Sequence, residues 1–314
     1  MSLREELSVV LGDRLQLDAS LGALTTYRIG GSAAYIASVE SEDELRSLAQ
    51  ALSRNPVPVA VLGRGSNTLV ADQGFAGLVL TLGKSFGTIE FSGSQSVLAG
   101  GRVDLPVLAR STVDRGLGGL EWAVGVPGTV GGGIAMNAGG HGSDICASLE
   151  RAWIFRLSDA KLVERSTADL LFSYRYCALA SDEIVLRAQF FLRTIEAEVG
   201  RERMREIVRW RREHQPGGTN AGSVFTNPPD DSAGRLIDQA GLAGLRMGSA
   251  QVSSKHANFI QADPEGKAAD VVQLMIEVRE LILARIGVSL RPETRLLGFP
   301  PESLEALGVG DRGA

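Results

Sequence analysis

The sequence Gly63-Arg-Gly-Ser-Asn-Thr68 follows a predicted buried strand at 57–62. Its glycines tolerate left-handed backbone angles and allow consecutive N–H groups to form a nest for anionic oxygens. The Rossmann dinucleotide pattern is not met, because the third glycine is missing and no helical stripe follows. The stretch therefore predicts a cradle for a diphosphate, and a tight surface turn is an equally good interpretation of the same residues.

A second glycine-rich stretch, Gly125-Val-Pro-Gly-Thr-Val-Gly-Gly-Gly133, lies further along the chain. Each glycine in regular structure costs about 0.5–1 kcal/mol of folding free energy relative to alanine. Close approach of the backbone to a large ligand would offset that cost, so we predict a second wall of the same cradle; a structural loop is the alternative. The residues predicted to contact the cofactor are Gly63, Arg64, Gly65, Ser66, Asn67, Thr68, Gly125, Val126, Pro127, Gly128, Thr129, Gly132 and Gly133.

The composition is that of a globular protein rather than of a nucleic-acid binder. The 314 residues are 44% hydrophobic and 22% charged, with a formal net charge of −5. A general nucleic-acid binder would normally be basic. The one arginine-rich segment, 201–212, is interleaved with glutamates and is typical of a solvated helix face. We therefore expect no nucleic-acid partner.

Membrane, metal and disulfide chemistry are not indicated either. The most apolar segment, 271–288, is interrupted by four charged residues, so we expect no membrane partner. The three histidines lack the spacing of a metal site. The two cysteines are far apart, and no secretory signal is recognised, so we expect a cytoplasmic protein.

Four further residues carry groups that could act on a substrate. Arg175 offers a planar fork for a carboxylate, and a structural ion pair is the alternative. Ser223 follows a glycine, which suits an exposed hydroxyl, but no G-x-S-x-G elbow is present and a turn serine is the alternative. Glu293 could act on a substrate, and a solvated surface carboxylate is the alternative. His256 could also contact a substrate, and a structural histidine is the alternative.

Two local signals place helix starts. Ser41 with Glu44 forms a capping box before a helix that Asn55 and Pro56 end. Asp263 followed by Pro264 predicts the start of a second helix, whose core side is a stripe of apolar residues. The residues of this stripe are Val271, Met275, Val278 and Ile282.

Taken in order, the motifs resemble the UDP-N-acetylenolpyruvoylglucosamine reductase family, flavoenzymes of bacterial cell-wall synthesis. The resemblance spans about residues 20 to 299. Any one block is weak, and the ordered set is specific. The matching segments are Thr25-Thr-Tyr-Arg-Ile-Gly-Gly31, Leu62-Gly-Arg-Gly-Ser-Asn67, Gly118-Gly-Leu-Glu-Trp-Ala-Val-Gly-Val-Pro-Gly128, Met136-Asn-Ala-Gly139, Tyr174-Arg175, Ala221-Gly-Ser-Val-Phe225, Lys255-His-Ala-Asn-Phe259 and Leu290-Arg-Pro-Glu293.

The resemblance implies an α+β fold. It consists of a two-lobed FAD-binding domain of the vanillyl-alcohol-oxidase/p-cresol-methylhydroxylase type and a C-terminal α+β substrate-binding domain. The implied division is lobe 1 at 1–82, lobe 2 at 83–197, the substrate-binding domain at 198–287, a strand at 288–299 that packs back on lobe 1, and a loose tail at 300–314. The short connection before Ser223 is similar to the form of the family that lacks an extra tyrosine-bearing loop.

The resemblance also implies a reaction. NADPH reduces a noncovalent FAD, and flavin N5 then passes hydride to the enolpyruvyl ether of UDP-N-acetylglucosamine, which gives UDP-N-acetylmuramate for peptidoglycan synthesis. Arg175 and a protonated Glu293 would stabilise the enolate, and Ser223 would donate the proton. The implied substrate-binding residues are Tyr174, Asn227, His256 and Asn137. A monomer or weak oligomer is expected.

The sequence departs from the family pattern at three positions. His214 and Thr226 stand where lysine is frequent, and Cys177 stands where serine is usual. The two lost charges raise alternatives: an FAD-dependent sugar or alcohol oxidase of the same fold, or a flavin- or nucleotide-sugar-binding protein without turnover. The absence of histidine at Ser66 and Asn67 favours noncovalent over covalent flavin.

Overall fold

The computed structural model describes residues 1–309, which form two compact units. The first unit contains Met1–Leu17, Tyr35–Arg64 and Gly77–Arg211, and the second contains Asp18–Ala34, Gly65–Ala76 and the chain from Arg212 onward. The chain therefore passes between the units several times before the second unit is complete.

The chain forms eight α-helices and eighteen strands within the described residues, joined in places by short 3₁₀ helices. The helices are α1 (Leu3–Leu11), α2 (Glu42–Arg54), α3 (Leu105–Val113), α4 (Val130–Ala135), α5 (Ala197–His214), α6 (Ala233–Gln239), α7 (Ala268–Ile286) and α8 (Pro301–Ala306). The strands are β1 (Leu15–Ser20), β2 (Ser32–Val39), β3 (Val59–Val61), β4 (Thr68–Val70), β5 (Phe75–Leu82), β6 (Ile89–Ser92), β7 (Ser96–Gly100), β8 (Leu117–Gly118), β9 (Gly139–Gly140), β10 (Ser143–Asp144), β11 (Leu149–Arg156), β12 (Lys161–Ser166), β13 (Glu183–Phe191), β14 (Arg193–Thr194), β15 (Arg246–Met247), β16 (Ala250–Val252), β17 (Ile260–Ala262) and β18 (Arg295–Leu297).

The first unit is built on two sheets. One has the order β1-β2-β5-β3, and the other has the order β12-β11-β13-β7-β6. The β3 strand runs parallel to β5, with Val59 opposite Leu78, whereas every neighbouring pair of the five-stranded sheet is antiparallel. Leu45 and Leu48 of α2 are fully buried in the core beside the first sheet. The predicted helix after Ser41 is thus confirmed, and the Ser41 hydroxyl accepts from Glu44 N at 3.2 Å.

The second unit has a smaller sheet, β15-β16-β17, and a parallel pair of β4 with β18. The apolar stripe of α7 lies in its core, where Val271, Met275 and Ile282 are fully buried. Among residues 1–309, no helix combines the length and the apolar character that a bilayer span needs.

Four boundaries differ from the sequence-based expectation. The strand expected at 288–299 is reduced to Arg295–Leu297, because Pro292 has no N–H and takes part only in an isolated bridge with Phe225. The α5 helix, expected in the third domain, belongs to the first unit as far as Arg211. Its Met204 and Ile207 are buried in that unit's core. The domain division itself stays a prediction.

The α7 helix starts later than Asp263, at Ala268. The carboxylate of Asp72 accepts from Ala268 N at 2.8 Å and from Ala269 N at 3.0 Å, so the cap comes from a distant segment. Gly266 N donates to Asp263 O instead, which closes a turn.

The tail expected to be loose at 300–314 contains the α8 helix. Proline at its start suits the first turn of a helix. Leu307 is fully buried in the core of the second unit, and Arg279 Nη1 donates to Ala306 O at 2.9 Å. The remainder of the predicted tail, 310–314, lies outside the described residues.

Candidate functional site

The first glycine-rich segment leaves its backbone donors available. Within residues 1–309, none of the five consecutive N–H groups from Gly63 to Asn67 donates to a protein acceptor. Gly65 has φ +61°, and a Cβ there would lie 2.5 Å from Leu24 O, so only glycine fits. Thr26 N donates to Gly65 O at 3.2 Å and holds the turn from the side. The segment can therefore present several N–H groups to one anionic ligand.

Most N–H groups of the second glycine-rich segment donate to protein acceptors, some within the segment and some outside it. Val126 N donates to Ala123 O, Gly128 N donates to Val126 O, and Gly133 N donates to Thr129 O. Thr129 is the N-cap of α4, and its Oγ1 accepts from Gly132 N at 3.2 Å. The segment is thus a tightly folded turn and helix start rather than an open nest.

The two segments meet at Gly63 and Thr129 within the first unit. A Cβ on Gly63 would lie 2.6 Å from Thr129 Oγ1. Beside this contact is a cavity of about 440 Å³ in the first unit. Gly63, Arg64, Thr129 and Gly132 line it, with Asp104 3.7 Å from Arg64. A cavity with a glycine rim, lined by Gly63 and Arg64 with their unused N–H groups, fits a cofactor that contains a diphosphate.

Of the other residues predicted to contact the cofactor, Asn67 has a clear structural contact. Its Nδ2 donates to Glu293 O at 3.0 Å. Thr68 begins β4 and pairs with Arg295. Gly125 faces away from open space, because a Cβ on it would lie 2.4 Å from Arg211 Cδ. Their direct contact with a cofactor stays a prediction.

Arg175 lies in a two-residue turn with Tyr174. Ser173 and Tyr176 exchange both backbone hydrogen bonds, at 3.1 and 3.0 Å. Arg175 has φ +55°, which is uncommon for a residue with a side chain and is typical of functional sites. Its Nη2 donates to Gly139 O at 3.0 Å, and its guanidinium lies 5.2 Å from the ring centre of Tyr174. The Gly139 carbonyl and the Tyr174 ring thus help to hold this side chain in place.

Asn137 is buried, and its side-chain amide makes three hydrogen bonds to the protein. Its Nδ2 donates to Ser173 O at 3.0 Å and to Asp144 Oδ2 at 3.2 Å, and its Oδ1 accepts from Cys146 N at 3.1 Å. An amide engaged in this way has little capacity left for a ligand. Direct substrate binding by Asn137 stays a prediction.

Ser223 is half-buried and follows Gly222, which has φ +77°. Asn220 Oδ1 accepts from Gly222 N at 3.0 Å and shapes this turn. The Ser223 hydroxyl makes no hydrogen bond to any protein group between residues 1 and 309. The hydroxyl is therefore available to a ligand, as its position after glycine predicts.

Asn258 joins the Ser223 turn to its neighbours, and sequence reasoning missed this role. Its Oδ1 accepts from Phe225 N at 3.0 Å, and its Nδ2 donates to Phe225 O at 2.8 Å. Val224 N donates to Asn258 O, and Glu293 N donates to Val224 O at 2.7 Å. The backbones of Ser223 and Glu293 are thus tied together. Position within Lys255-His-Ala-Asn-Phe259 was the only signal that could have found Asn258.

The remaining predicted substrate residues differ in accessibility. Tyr174 is 56% exposed. Asn227 is exposed, and its Oδ1 accepts from Ala233 N at 3.0 Å. Burial lowers the pKa of His256, whose Nδ1 accepts from Asn258 N at 3.3 Å. Burial thus favours the neutral form of His256, and its contact with the substrate stays a prediction.

The three departures from the family pattern lie in different environments. Cys177 is buried in the first unit's core, and burial raises the pKa of its thiol to about 12. Thr226 donates through N and Oγ1 to Arg291 O. His214 ends α5 and is exposed, while Lys255 Nζ donates to Arg212 O at 2.7 Å. Cys177 therefore fills space in the core of the first unit.

Two known sequence families match the chain. The family described as FAD binding domain matches residues 33–154. The family described as UDP-N-acetylenolpyruvoylglucosamine reductase, C-terminal domain, matches residues 214–297.

Curated relatives match nearly end to end. UDP-N-acetylenolpyruvoylglucosamine reductase 2 of Symbiobacterium thermophilum is 41% identical over 95% of this chain and 99% of its own length. The reductase of Rubrobacter xylanophilus is also 41% identical, over 91% of this chain and 96% of its own length.

Solved structures agree with this fold. The UDP-N-acetylenolpyruvylglucosamine reductase of Thermus caldophilus has a TM-score of 0.79 at 34% identity, covering 90% of this chain and 99% of that chain. A berberine bridge enzyme variant has a TM-score of 0.50 at 11% identity, over 62% of this chain and 44% of that chain, and shares the fold alone. The predicted α+β class, with its two-lobed FAD-binding domain and C-terminal domain, is confirmed.

Proposed function

The chain belongs to the UDP-N-acetylenolpyruvoylglucosamine reductase family, and we propose that it reduces the enolpyruvyl ether of UDP-N-acetylglucosamine to UDP-N-acetylmuramate with NADPH. It is a flavin-dependent oxidoreductase of peptidoglycan precursor synthesis, and FAD, when bound, carries the hydride between the two substrates. The remaining chemistry falls to the side chains and backbone groups of this chain.

We assign the diphosphate of FAD to the N–H groups of Gly63 to Asn67. Their lack of protein acceptors supports this assignment. The flavin is held without a covalent bond, since neither Ser66 nor Asn67 offers a ring nitrogen for attachment. Acid precipitation of the yellow protein should leave a colourless pellet, and a yellow pellet would rule out noncovalent binding.

Arg175 and Glu293 are the proposed stabilisers of the enolate. A fixed cation and a hydrogen-bond donor aimed at developing charge each contribute roughly 3–4 kcal/mol to transition-state stabilisation. Arg175 is held by Gly139 O in a strained turn, which supports a fixed position. Glu293 must carry its proton to donate.

Ser223 is the proposed proton donor to the carbon next to the one that receives hydride. The observation that carries the proposal is its hydroxyl, which hydrogen bonds to no protein group among the described residues and sits on a turn that Asn258 anchors. Tyr174, Asn227 and His256 are kept as proposed substrate contacts. The Asn227 Nδ2 group also lacks a protein acceptor within residues 1–309, which supports its assignment.

The test follows the flavin colour without oxygen. NADPH should bleach the yellow protein, and the enolpyruvyl nucleotide sugar should restore the colour. Failure of the second step would leave a flavoprotein with another acceptor, and failure of both would leave a binding protein.

The Ser223→Ala variant separates the two steps. We expect bleaching by NADPH at the wild-type rate and recolouring at least about a hundredfold slower, because a general acid contributes about 10²–10⁴-fold. Ser303→Ala, a change to a half-buried serine of the α8 helix, is the control. Equal slowing of both steps would contradict the proton-donor role.

We further propose that the protein works in the cytoplasm as a monomer or weak oligomer. The nucleotide-sugar substrate supports the compartment, and sedimentation over a range of concentrations would test the assembly state.

A further inference from the structure

The proposed catalytic residue Arg175 lies in a turn that is held in place by another segment of the first unit. Tyr174 and Tyr176 are 56% and 48% exposed, so the tip of the turn has little packing of its own. A strained φ at Arg175 persists only where the surroundings enforce it. Within the first unit, the segment from Asn137 to Cys146 contacts both the base of this turn and its arginine.

Asn137 makes the contact at the base of the turn. Its side chain is 3% exposed, and its Nδ2 donates to Ser173 O, the residue before Tyr174. The same amide is fixed by Asp144 Oδ2 at 3.2 Å and by Cys146 N at 3.1 Å. Two residues later, Gly139 O accepts from Arg175 Nη2. One segment therefore holds the turn at its base, through Ser173, and the arginine at its guanidinium.

We infer that Asn137 is a positioning residue for Arg175 rather than a contact of the nucleotide sugar. The inference rests on the proposed function, in which Arg175 meets the developing enolate. Asparagine suits the position because Asn137 itself has φ +39°, a region that asparagine tolerates better than most residues. Its amide also supplies two donors and an acceptor in one rigid plane.

The variant that tests this is Asn137→Gly, which keeps the backbone conformation accessible and removes only the amide. We expect recolouring of the reduced holoenzyme to slow by about ten- to hundredfold, since a small misplacement of a catalytic group has effects of that size. The rate of bleaching by NADPH should not change. Cys146→Ala is the matched control, because Cys146 contributes only its backbone N–H to Asn137.

A double-mutant cycle separates positioning from general structural damage. In an Arg175→Ala background, Asn137→Gly should slow recolouring no further, because its effect passes through the missing guanidinium. Additive losses would overturn the inference, and so would an Asn137→Gly single variant that recolours at the wild-type rate.

A proteolysis assay tests the same point without any substrate. Trypsin can cut after Arg175, and release of Ser173 should raise that cleavage rate about tenfold in the Asn137→Gly holoenzyme, as local opening predicts. Unchanged cleavage would overturn the inference. If wild-type protein fails to recolour, the proposed function fails, and the digest alone decides the role of Asn137. Asn137→Asp, which cannot donate when ionised, replaces Asn137→Gly in both assays if the latter does not fold.

Discussion

The two glycine-rich segments look alike as sequence and differ as structure. The segment from Gly63 to Asn67 keeps its N–H groups for a ligand, whereas the segment from Gly125 to Gly133 donates most of its own to neighbouring carbonyls and to Thr129. In the first segment glycine permits a left-handed turn, and in the second it permits close packing. Glycine density therefore locates tight backbone, and only the donor pattern tells which tight backbone binds.

Gly65→Ala should have the largest effect of the substitutions in the two glycine-rich segments. A left-handed conformation costs alanine about 1–2 kcal/mol, and the contact with Leu24 O adds to that cost. We expect a loss of FAD retention and a fall in the melting temperature of the apoprotein. Gly93→Ala is the control, since Gly93 has a similar φ of +62° with no atom within 4 Å. Equal effects in both variants would remove the special status of the first segment.

Thr129→Ala should have a smaller effect, and its first consequence is a loss of stability. Loss of the α4 cap costs about 1 kcal/mol. Denaturant unfolding of the apoprotein measures it, and Thr129→Ser should retain the cap. A loss of FAD affinity far beyond this stability change would mean that Thr129 also contacts the cofactor.

Gly132→Ala should change stability in the opposite direction from Thr129→Ala. The nearest atom to a Cβ there is Thr129 Oγ1 at 3.5 Å, an ordinary contact. Alanine inside a helix is preferred over glycine by about 0.5–1 kcal/mol, so the apoprotein should become slightly more stable. Titration of the apoprotein with FAD measures whether Gly132 contacts the cofactor. Unchanged affinity for FAD supports a structural role, and a tenfold loss would mean that the segment from Gly125 to Gly133 forms a second wall of the cofactor site.

His141→Gln should have the smallest effect, on the pH dependence of stability. Burial, with Arg211 and Arg203 adding repulsion, lowers the pKa of His141 below its usual 6.5. The unfolded chain therefore takes up this proton first as the pH falls below about 6.5, and the native state loses stability there. Urea unfolding between pH 7 and 5 should show a shallower decline in the variant. An unchanged slope would mean that His141 titrates normally.

Short sequence patterns predicted the features of the fold that depend on contacts between residues close together in the chain. The Ser41 cap and the glycine before Ser223 involve residues within a few positions of one another, and the structure contains both. The order of the motifs predicted the family, because several weak blocks in one order are specific together.

Distant contacts account for what could not be predicted. The start of α7 is set by Asp72, which lies 196 positions from Ala268. Asn137 and Asn258 owe their roles to hydrogen-bond partners that no spacing rule connects with them. The α8 helix forms where Leu307, directly after it, packs into a core that other segments of the chain build. In each case the deciding partner is far away along the chain.

The parallel pairing of β4 with β18 has a consequence for biosynthesis. Thr68 leaves the ribosome long before its partner Arg295 has been translated. At about 5–20 residues per second, the early strand waits roughly 10–45 s for its partner. Contacts of such high sequence separation also slow folding, since the loop must close first. The second unit is thus completed late in translation, and the Thr68–Val70 strand stays without its partner strand until then.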